Sequence, residues 1–305
     1  MKDLIANAVE NVAGNSELIQ NSNTVFFKLF PQLFIKNEAY NIMIEEIKNS
    51  DMSSERKVFE LYSVSDKIKR IKNQQKVMNI AVSNSKESVD FSEDSMVDKN
   101  WIRKYMDASG EISDESIQLI WGLILSKEFE IPNSTPLSVI RVLSELNSET
   151  ANAFKTICNL ECLVIEIEDD YSPLRASRVI IAPSDENELN RIGVSYSMLN
   201  ELEFLGLIKN EQFGLYDTGI KSDKVLVSVN DRIIRVDKGN HATWFPKGNI
   251  VLSVVGNCIK RVIEKESVDF FEIVKEYYSS IQCNVKEIDD YRVIIDGDKY
   301  SLKKI

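Results

Sequence analysis

One histidine, His241, serves all 305 residues. That scarcity excludes metal centres built from several histidines. It leaves a single imidazole as an acid–base candidate, in the loop-like run Gly239 to Phe245, with no spacing that ties it to Ser253 or Cys258 as a nucleophile. The four cysteines, Cys158, Cys162, Cys258 and Cys283, form no Cys-x-x-Cys pair. Structural zinc is therefore not expected, and the cysteines read as small buried apolar groups in a reducing compartment. Glycine is scarce too: the eleven residues contain neither a Walker loop nor a Gly-x-Gly-x-x-Gly run, which removes the familiar phosphate cradles.

An excess of positive charge is also missing. The formal net charge is -11 and the pI is near 4.9, the opposite of the footprint of a protein whose whole surface grips nucleic acid. Residues 1–100 hold 13 Lys and Arg against 15 Asp and Glu, and residues 101–305 hold 24 against 33, so the acid concentrates in the second part. Long apolar runs are absent as well. The most apolar segment, Val25 to Ile35, is interrupted by Lys28 and Pro31 and falls short of the roughly 20 residues a membrane span needs. The first fifteen residues carry acids and lack the apolar run of a signal peptide, so a cytoplasmic protein is expected.

What is present is a dense helical signal over 98–161. Trp101, Ile102 and Tyr105 open one helix, which Gly110 ends. Ser113 is placed to cap a second, with Asp114 and Glu115 in its first turn, where acids meet the positive end of the helix dipole. Ile117, Ile120, Trp121, Ile124 and Leu125 then recur along one broad face, and Pro132 stops the helix. Thr135 before Pro136 reads as the start of a third, carrying Ile140, Leu143 and Leu146. Ser148 starts a fourth, with Ala151, Phe154, Ile157 and Cys158 on one face. The stripes predict that Trp101 and Trp121 face inward.

The succession Trp101, Ile112-Ser113-Asp114-Glu115, Gln118, Trp121-Gly122, Ile124-Leu125, Glu128, Pro132, Ser134 and Val142-Leu143 resembles a bacterial family catalogued as domain of unknown function 2806. More distantly, the chain is similar to the abortive-infection alpha proteins. The resemblance is clearest over 101–160, with weaker support from 199–208 and 248–263. It supports the fold and implies no catalytic residue, while the distant similarity implies a setting in phage resistance.

Ahead of the helical core, Leu4, Ile5, Ala8, Val9 and Val12 are spaced as a short amphipathic helix ending at Gly14. Phe26, Phe27, Phe30 and Phe34, flanked by Lys28 and Lys36, read either as a core or oligomer helix or as a segment that meets a partner or a lipid headgroup boundary. Ser53 or Ser54 starts a long helix whose narrow stripe, Val58, Leu61, Tyr62, Ser65, Ile68, Gln75 and Met78, favours helix-on-helix packing. Lys67, Lys69, Arg70, Lys72 and Lys76 concentrate positive charge on it, either as a solvated face or as a contact for a partner or acidic surface. The segment 86–100 reads as a linker that separates these helices from the core.

After Leu160 the pattern shortens to strands, at Cys162 to Ile167 and Arg178 to Ala182, followed by helices ending at Gly193 and Gly206. The Leu199, Leu202, Leu205 to Ile208 ending resembles the last helix of a winged-helix domain. Val225 to Val229 and Ile233 to Val236 supply a hairpin that would be its wing. Arg232, Arg235 and Lys238 on that wing are the nucleic-acid contact candidates, set against acids at Asp231 and Asp237 and a helix carrying Glu201 and Glu203. Two further helices precede three alternating strands near the end of the chain. The pairs Asp169–Asp170, Asp289–Asp290 and Asp296–Asp298 suit a hard cation, yet each falls at a turn, where aspartate is favoured anyway.

These readings give a mainly helical α+β protein: amino-terminal helices and linker over 1–97, a helical core over 98–161, and a winged-helix-like α+β part over 162–305. No catalytic residue, cofactor or metal is expected. A non-enzymatic interaction or scaffold protein follows, with a protein partner or self-association ranked first, peripheral membrane contact second, and a winged-helix-type nucleic-acid-binding regulator as the alternative.

Overall fold

The computed structural model describes residues 24–35, 37–86, 88–92, 94–183, 185–210, 222–230, 232–239, 248–266, 268–296 and 299–304. The expected helix at Leu4 to Val12, the His241 loop, the tip residue Asp231 and the acid Asp298 lie outside them. The fold is mainly helical α+β, and the chain divides into two compact units, 1–148 and 149–305. The segment 98–161 is thus shared, its last helix falling in the second unit.

The first unit runs through α1 (Val25–Leu29), a 3-10 turn (Pro31–Phe34), α2 (Asn37–Asn49), α3 (Ser54–Ser83), α4 (Lys99–Ser109), α5 (Glu115–Glu130) and α6 (Ser138–Glu145). Ser53 caps α3 by accepting from Arg56 N. At 30 residues α3 is about 45 Å long. Its second half buries Val77, Met78 and Ala81 and packs along α5. Asn73 and Gln74, also buried there, donate to Gly110 O at 2.8 Å and Met106 O at 2.9 Å, serving carbonyls at the end of α4 where the run of intrahelical backbone bonds stops. Trp101 stacks on Tyr105 at 4.5 Å between ring centroids, Tyr105 meets Trp121 at 4.6 Å, and the Tyr105 hydroxyl donates to Trp121 O at 2.7 Å. Trp101 and Trp121 are 6% and 0% exposed, so both face inward as the stripes require.

Two helix starts differ from expectation. Asp114, not Ser113, caps α5, its carboxylate accepting from Ser116 N at 2.9 Å and Ile117 N at 3.1 Å. An ionised carboxylate is the stronger acceptor at a helix amino terminus. The third helix begins at Ser138 without a side-chain cap, after a turn in which Val139 N donates to Pro136 O at 3.0 Å and Ile140 N to Leu137 O at 3.1 Å; Thr135 N donates to the buried Glu128 carboxylate at 2.8 Å. The segment 86–98 is irregular, yet it does not hold the amino-terminal helices away from the core. Val25 N donates to Phe91 O at 2.9 Å, and Phe91 lies 4.6 Å from Phe129 of α5.

Hydroxyl donors from Ser116 and Ser148, joined by the backbone N–H groups of the cap, hold the Asp114 carboxyl down at about 2. Its folded-state value lies below the ordinary 3.8, so its contribution is present above that value and is lost as pH falls towards 2. Asp114→Ala is expected to cost about 1 kcal/mol at neutral pH. The gap between wild-type and variant urea midpoints should close between about pH 5 and about pH 2; a gap that persists at the acid end would refute the carboxylate as its source.

The second unit holds α7 (Ser148–Asn159), β1 (Glu161–Ile167), β2 (Pro173–Ile180), α8 (Glu186–Arg191), α9 (Tyr196–Phe204), β3 (Ile208–Asn210), β4 (Lys224–Val229), β5 (Arg232–Asp237), β6 (Ile250–Leu252), α10 (Val254–Lys260), α11 (Phe271–Ser280), β7 (Asn284–Ile288), β8 (Tyr291–Asp296) and β9 (Lys299–Lys304). Seven strands form one antiparallel sheet in the order β3-β6-β2-β1-β4-β5-β7. Leu163, Ile165, Ile167, Leu226 and Ile233 share one face, covered by Tyr291, Val293, Tyr300 and Leu302 of the separate β8–β9 hairpin. On the other side α11 lies against β5 and β7 and buries Phe271, Val274 and Tyr278. The expected β4–β5 hairpin is present, from Lys224↔Asp237 to Val229↔Arg232. Its place is inside the sheet, between β1 and β7, while β3, which follows α9, pairs with β6.

Candidate interaction surface

The phenylalanine segment is split by burial. Phe26 and Phe30 are buried, Phe26 lying 5.6 Å from Phe129 and 6.1 Å from Phe91. They belong to the core and cannot be presented to a partner or a lipid. Phe27 and Phe34, 5.1 Å apart, retain partial exposure.

On α3 the charged run is exposed at Lys67, Lys69 and Lys72. Arg70 instead pairs with Glu111 and reaches Asp107 O at 3.4 Å, and Lys76 pairs with Glu115 at 3.1 Å. These two tie α3 to the α4–α5 side of the unit.

The apolar stripe of α3 changes character along its length. Met78 is core, and Gln75 donates to Leu33 O at 2.6 Å. Near the helix start, Val58, Phe59 and Tyr62 are 68%, 69% and 72% exposed. Phe59 was not among the sequence candidates; its signal was a third large apolar residue beside Val58 on a stripe otherwise too narrow to need it. α2 folds back along α3 as a hairpin, Lys57 Nζ donating to Lys48 O at 3.0 Å, and leaves Ile42 and Met43 exposed in its own middle.

Two of the three wing candidates have their side chains already engaged. The Arg232 guanidinium sits 3.6 Å over the Phe271 ring, with Glu287, Glu272 and Asp269 at 3.6, 3.7 and 3.9 Å. Arg235 donates to Asp237 at 2.8 Å and to the Tyr171 hydroxyl at 3.0 Å, and these bonds raise its pKa further. Lys238 is half-buried, its N–H donating to Asp223 O.

Groups that could act chemically are dispersed. Burial pushes the Cys158 thiol up to about 12 and raises Cys162 and Cys283 as well, the reverse of what a thiolate nucleophile needs. Asp169 pairs with Lys224, Asp170 accepts from Ser172 N, and Asp289 and Asp290 are exposed. Among the described residues no three of His, Cys, Asp and Glu are grouped so as to hold a metal ion. A cavity of about 320 Å³ in the first unit is lined by Val97, Phe129, Lys86, Asp90, Asp94 and Glu130. Of its acids, Glu130 pairs with Lys127 at 2.7 Å and Asp90 accepts from Ser92. No helix among the described residues is long and apolar enough to cross a membrane.

The positions that carry the family resemblance mostly hold the first unit together. Trp101 and Trp121 sandwich Tyr105, Gln118 donates to Ile112 O at 2.6 Å, Asp114 caps α5, and Glu128 gathers the loop before Thr135. Residues 62–275, more than half of the chain, match a family described as a protein of unknown function, DUF2806. The chain belongs to this family. It matches no curated protein and no solved structure. The DUF2806 match begins at Tyr62, within the exposed part of α3, and ends at Lys275 in α11.

Proposed function

We propose that this DUF2806 protein works by assembly rather than by chemistry, docking a polypeptide on the exposed face at the start of α3. The observation that carries this reading is the trio Val58, Phe59 and Tyr62, each about two-thirds exposed or more, on one ordered helix. Covering a side chain of this size returns about 2 kcal/mol, so a contiguous trio favours a partner. The acids and thiols described above are held in ion pairs, turns or apolar surroundings, which is the pattern of structural groups. Nucleic acid ranks below protein because Arg232 and Arg235 are already matched to carboxylates. A lipid surface ranks between them, since Lys67, Lys69 and Lys72 stand on the same helix. Within this reading, phage resistance is the setting we propose on the abortive-infection similarity; equal plaque counts with and without the gene would remove it.

Photo-crosslinking tests the docking face. A benzoyl-phenylalanine at Phe59 should form protein adducts in the cells that make the chain, whereas one at the exposed Leu174 of β2 should not. If position 59 forms no more polypeptide adduct than position 174, the reading fails. Deleting residues 1–97 is a poor alternative, because Val77, Met78 and Ala81 would leave the core.

A further inference from the structure

The docking reading leaves the occupant open, and the geometry of α3 narrows it. We infer that the occupant is α3 of a second copy of this chain, running antiparallel, with the two-fold axis passing beside Tyr62; the inference rests on the docking reading above.

Two observations fix the register. α2 lies along one side of the start of α3, and the face left open opposite it runs from Ser54 to Lys69, because Arg70 is bound to Glu111 and Asn73 to Gly110 on the α4–α5 side. The midpoint of that length is Tyr62, the most exposed of the three apolar side chains. Charge supplies the second observation. Glu55 and Lys69 lie seven residues to either side of Tyr62, two turns each way, so all three fall on one seam of the helix. Glu55 and Lys69 are both exposed. An isologous antiparallel pair centred on Tyr62 sets Glu55 against Lys69 of the partner subunit, and Lys69 against Glu55 of the partner subunit. It also places each Phe59 opposite Ser65 of the partner subunit, where a small side chain leaves room for the ring. A parallel pair would instead stack Glu55 on Glu55 and Lys69 on Lys69, a repulsion at both ends. The overlap ends where the α4–α5 side begins to cover α3, and there the partner's helix also begins.

The test uses the full chain. Sedimentation velocity should show a concentration-dependent dimer for the wild type. Glu55→Lys and Lys69→Glu should each weaken it about tenfold, because each converts two attractions into two repulsions, and the double variant should return to within about threefold of wild type. A wild type that stays monomeric at about 100 µM, near the weak end of specific association, or a double variant no better than the singles, would overturn the pairing. Cysteine scanning reads the register directly, since the four native thiols are buried. Tyr62→Cys should form an interchain disulfide on mild oxidation, whereas Val58→Cys and Lys69→Cys should not bridge to themselves. Self-bridging at all three positions would mean a parallel pair and sink the proposal. These sites are exposed, so folding is spared and a negative result counts. Adducts at Phe59 that carry a different protein would overturn the pairing and keep the docking face; an absence of any adduct removes the docking face itself.

Discussion

Gly122→Ala is expected to lower the stability of the first unit by about 2–3 kcal/mol, a loss larger than any surface change on α3 should cause. Gly122 lies on the α5 face that meets α3. A Cβ there would overlap Ile80 Cβ and Cγ2 and come within 3.1 Å of Val77 O. The obstruction is the stem of a side chain, so no rotamer of Ile80 relieves it and the two helices must separate. Alanine has a better helix propensity than glycine by about 1 kcal/mol, which offsets part of the cost and is already included. For a unit of this size the melting midpoint should fall by roughly 6–10 °C. Gly193→Ala is the contrasting case: its φ of +75° strains an L residue, but nothing lies within 4 Å of the added carbon. That variant should lose only about 1 kcal/mol. Equal losses at the two positions would show that backbone strain, and not the α3–α5 approach, sets the effect.

The sequence exposed the helices of the first unit because each carries its own local instructions. α4 and α5 announce themselves by an apolar face and a Gly or Pro stop, with acids at the start of α5, and they form within a few residues of expectation, although Asp98 and Asp114 supply the caps. The third helix starts at Ser138, with a turn over Pro136 to Ile140 in place of a Thr135 side-chain cap, and the loop before it is gathered by Glu128 from the preceding helix, a contact no local pattern contains. α2 was not singled out. Tyr40, Ile44 and Ile47 do make a face, but Ile42 and Met43 interrupt the polar side, and they are the residues the fold leaves exposed. The size of the sheet was hidden for another reason. Period-two alternation reveals a strand without naming its neighbour, and β3 pairs with β6 across the 39 positions from 211 to 249, Ile208 with Leu252 at one end. Non-local pairing of that kind is decided by the whole fold.

The candidate surface was legible in part for a related reason. A narrow stripe on α3 was visible, yet a stripe does not say where packing inside the chain stops and packing against another chain begins. In the structure that change falls between Lys69 and Asn73: upstream Val58, Tyr62 and Ser65 are exposed and Leu61 and Ile68 half-buried, downstream Val77, Met78 and Ala81 are core. Phe26 and Phe30 misled because clustered phenylalanines look alike whether they face lipid or each other; the decisive neighbours, Phe91 and Phe129, are distant in sequence. Arg232 and Arg235 drew attention as isolated positive charges near a turn. Their partners Glu272, Glu287 and Tyr171 come from separate elements that only the folded sheet brings to them.

Glu128→Ala is expected to cost about 3–5 kcal/mol, as much as truncating a buried aromatic. The side chain is 1% exposed, and its two oxygens are divided between two backbone donors, Asn133 N at 2.6 Å and Thr135 N at 2.8 Å, with the Ser134 hydroxyl at 3.4 Å. Asn133 adopts a left-handed φ of 63°, a conformation an asparagine tolerates at some cost when its surroundings hold it. Removing the carboxylate leaves two backbone N–H groups without their acceptor; the buried Thr135 one costs about 1–3 kcal/mol, and the one on exposed Asn133 less, since water can reach it. It also vacates the volume under the loop that leads into α6, whose Val139, Val142 and Leu143 are core. Glu128→Gln separates these contributions. Its carbonyl oxygen can still accept from one N–H, but its NH2 group faces the other as donor against donor. The expected loss is about half that of alanine, with the volume kept. Urea midpoints of the two variants, read with tryptophan fluorescence from the buried Trp121, give the comparison. If glutamine were to match wild type, the carboxylate would be a space-filler and the loop would be held by something other than its two oxygens.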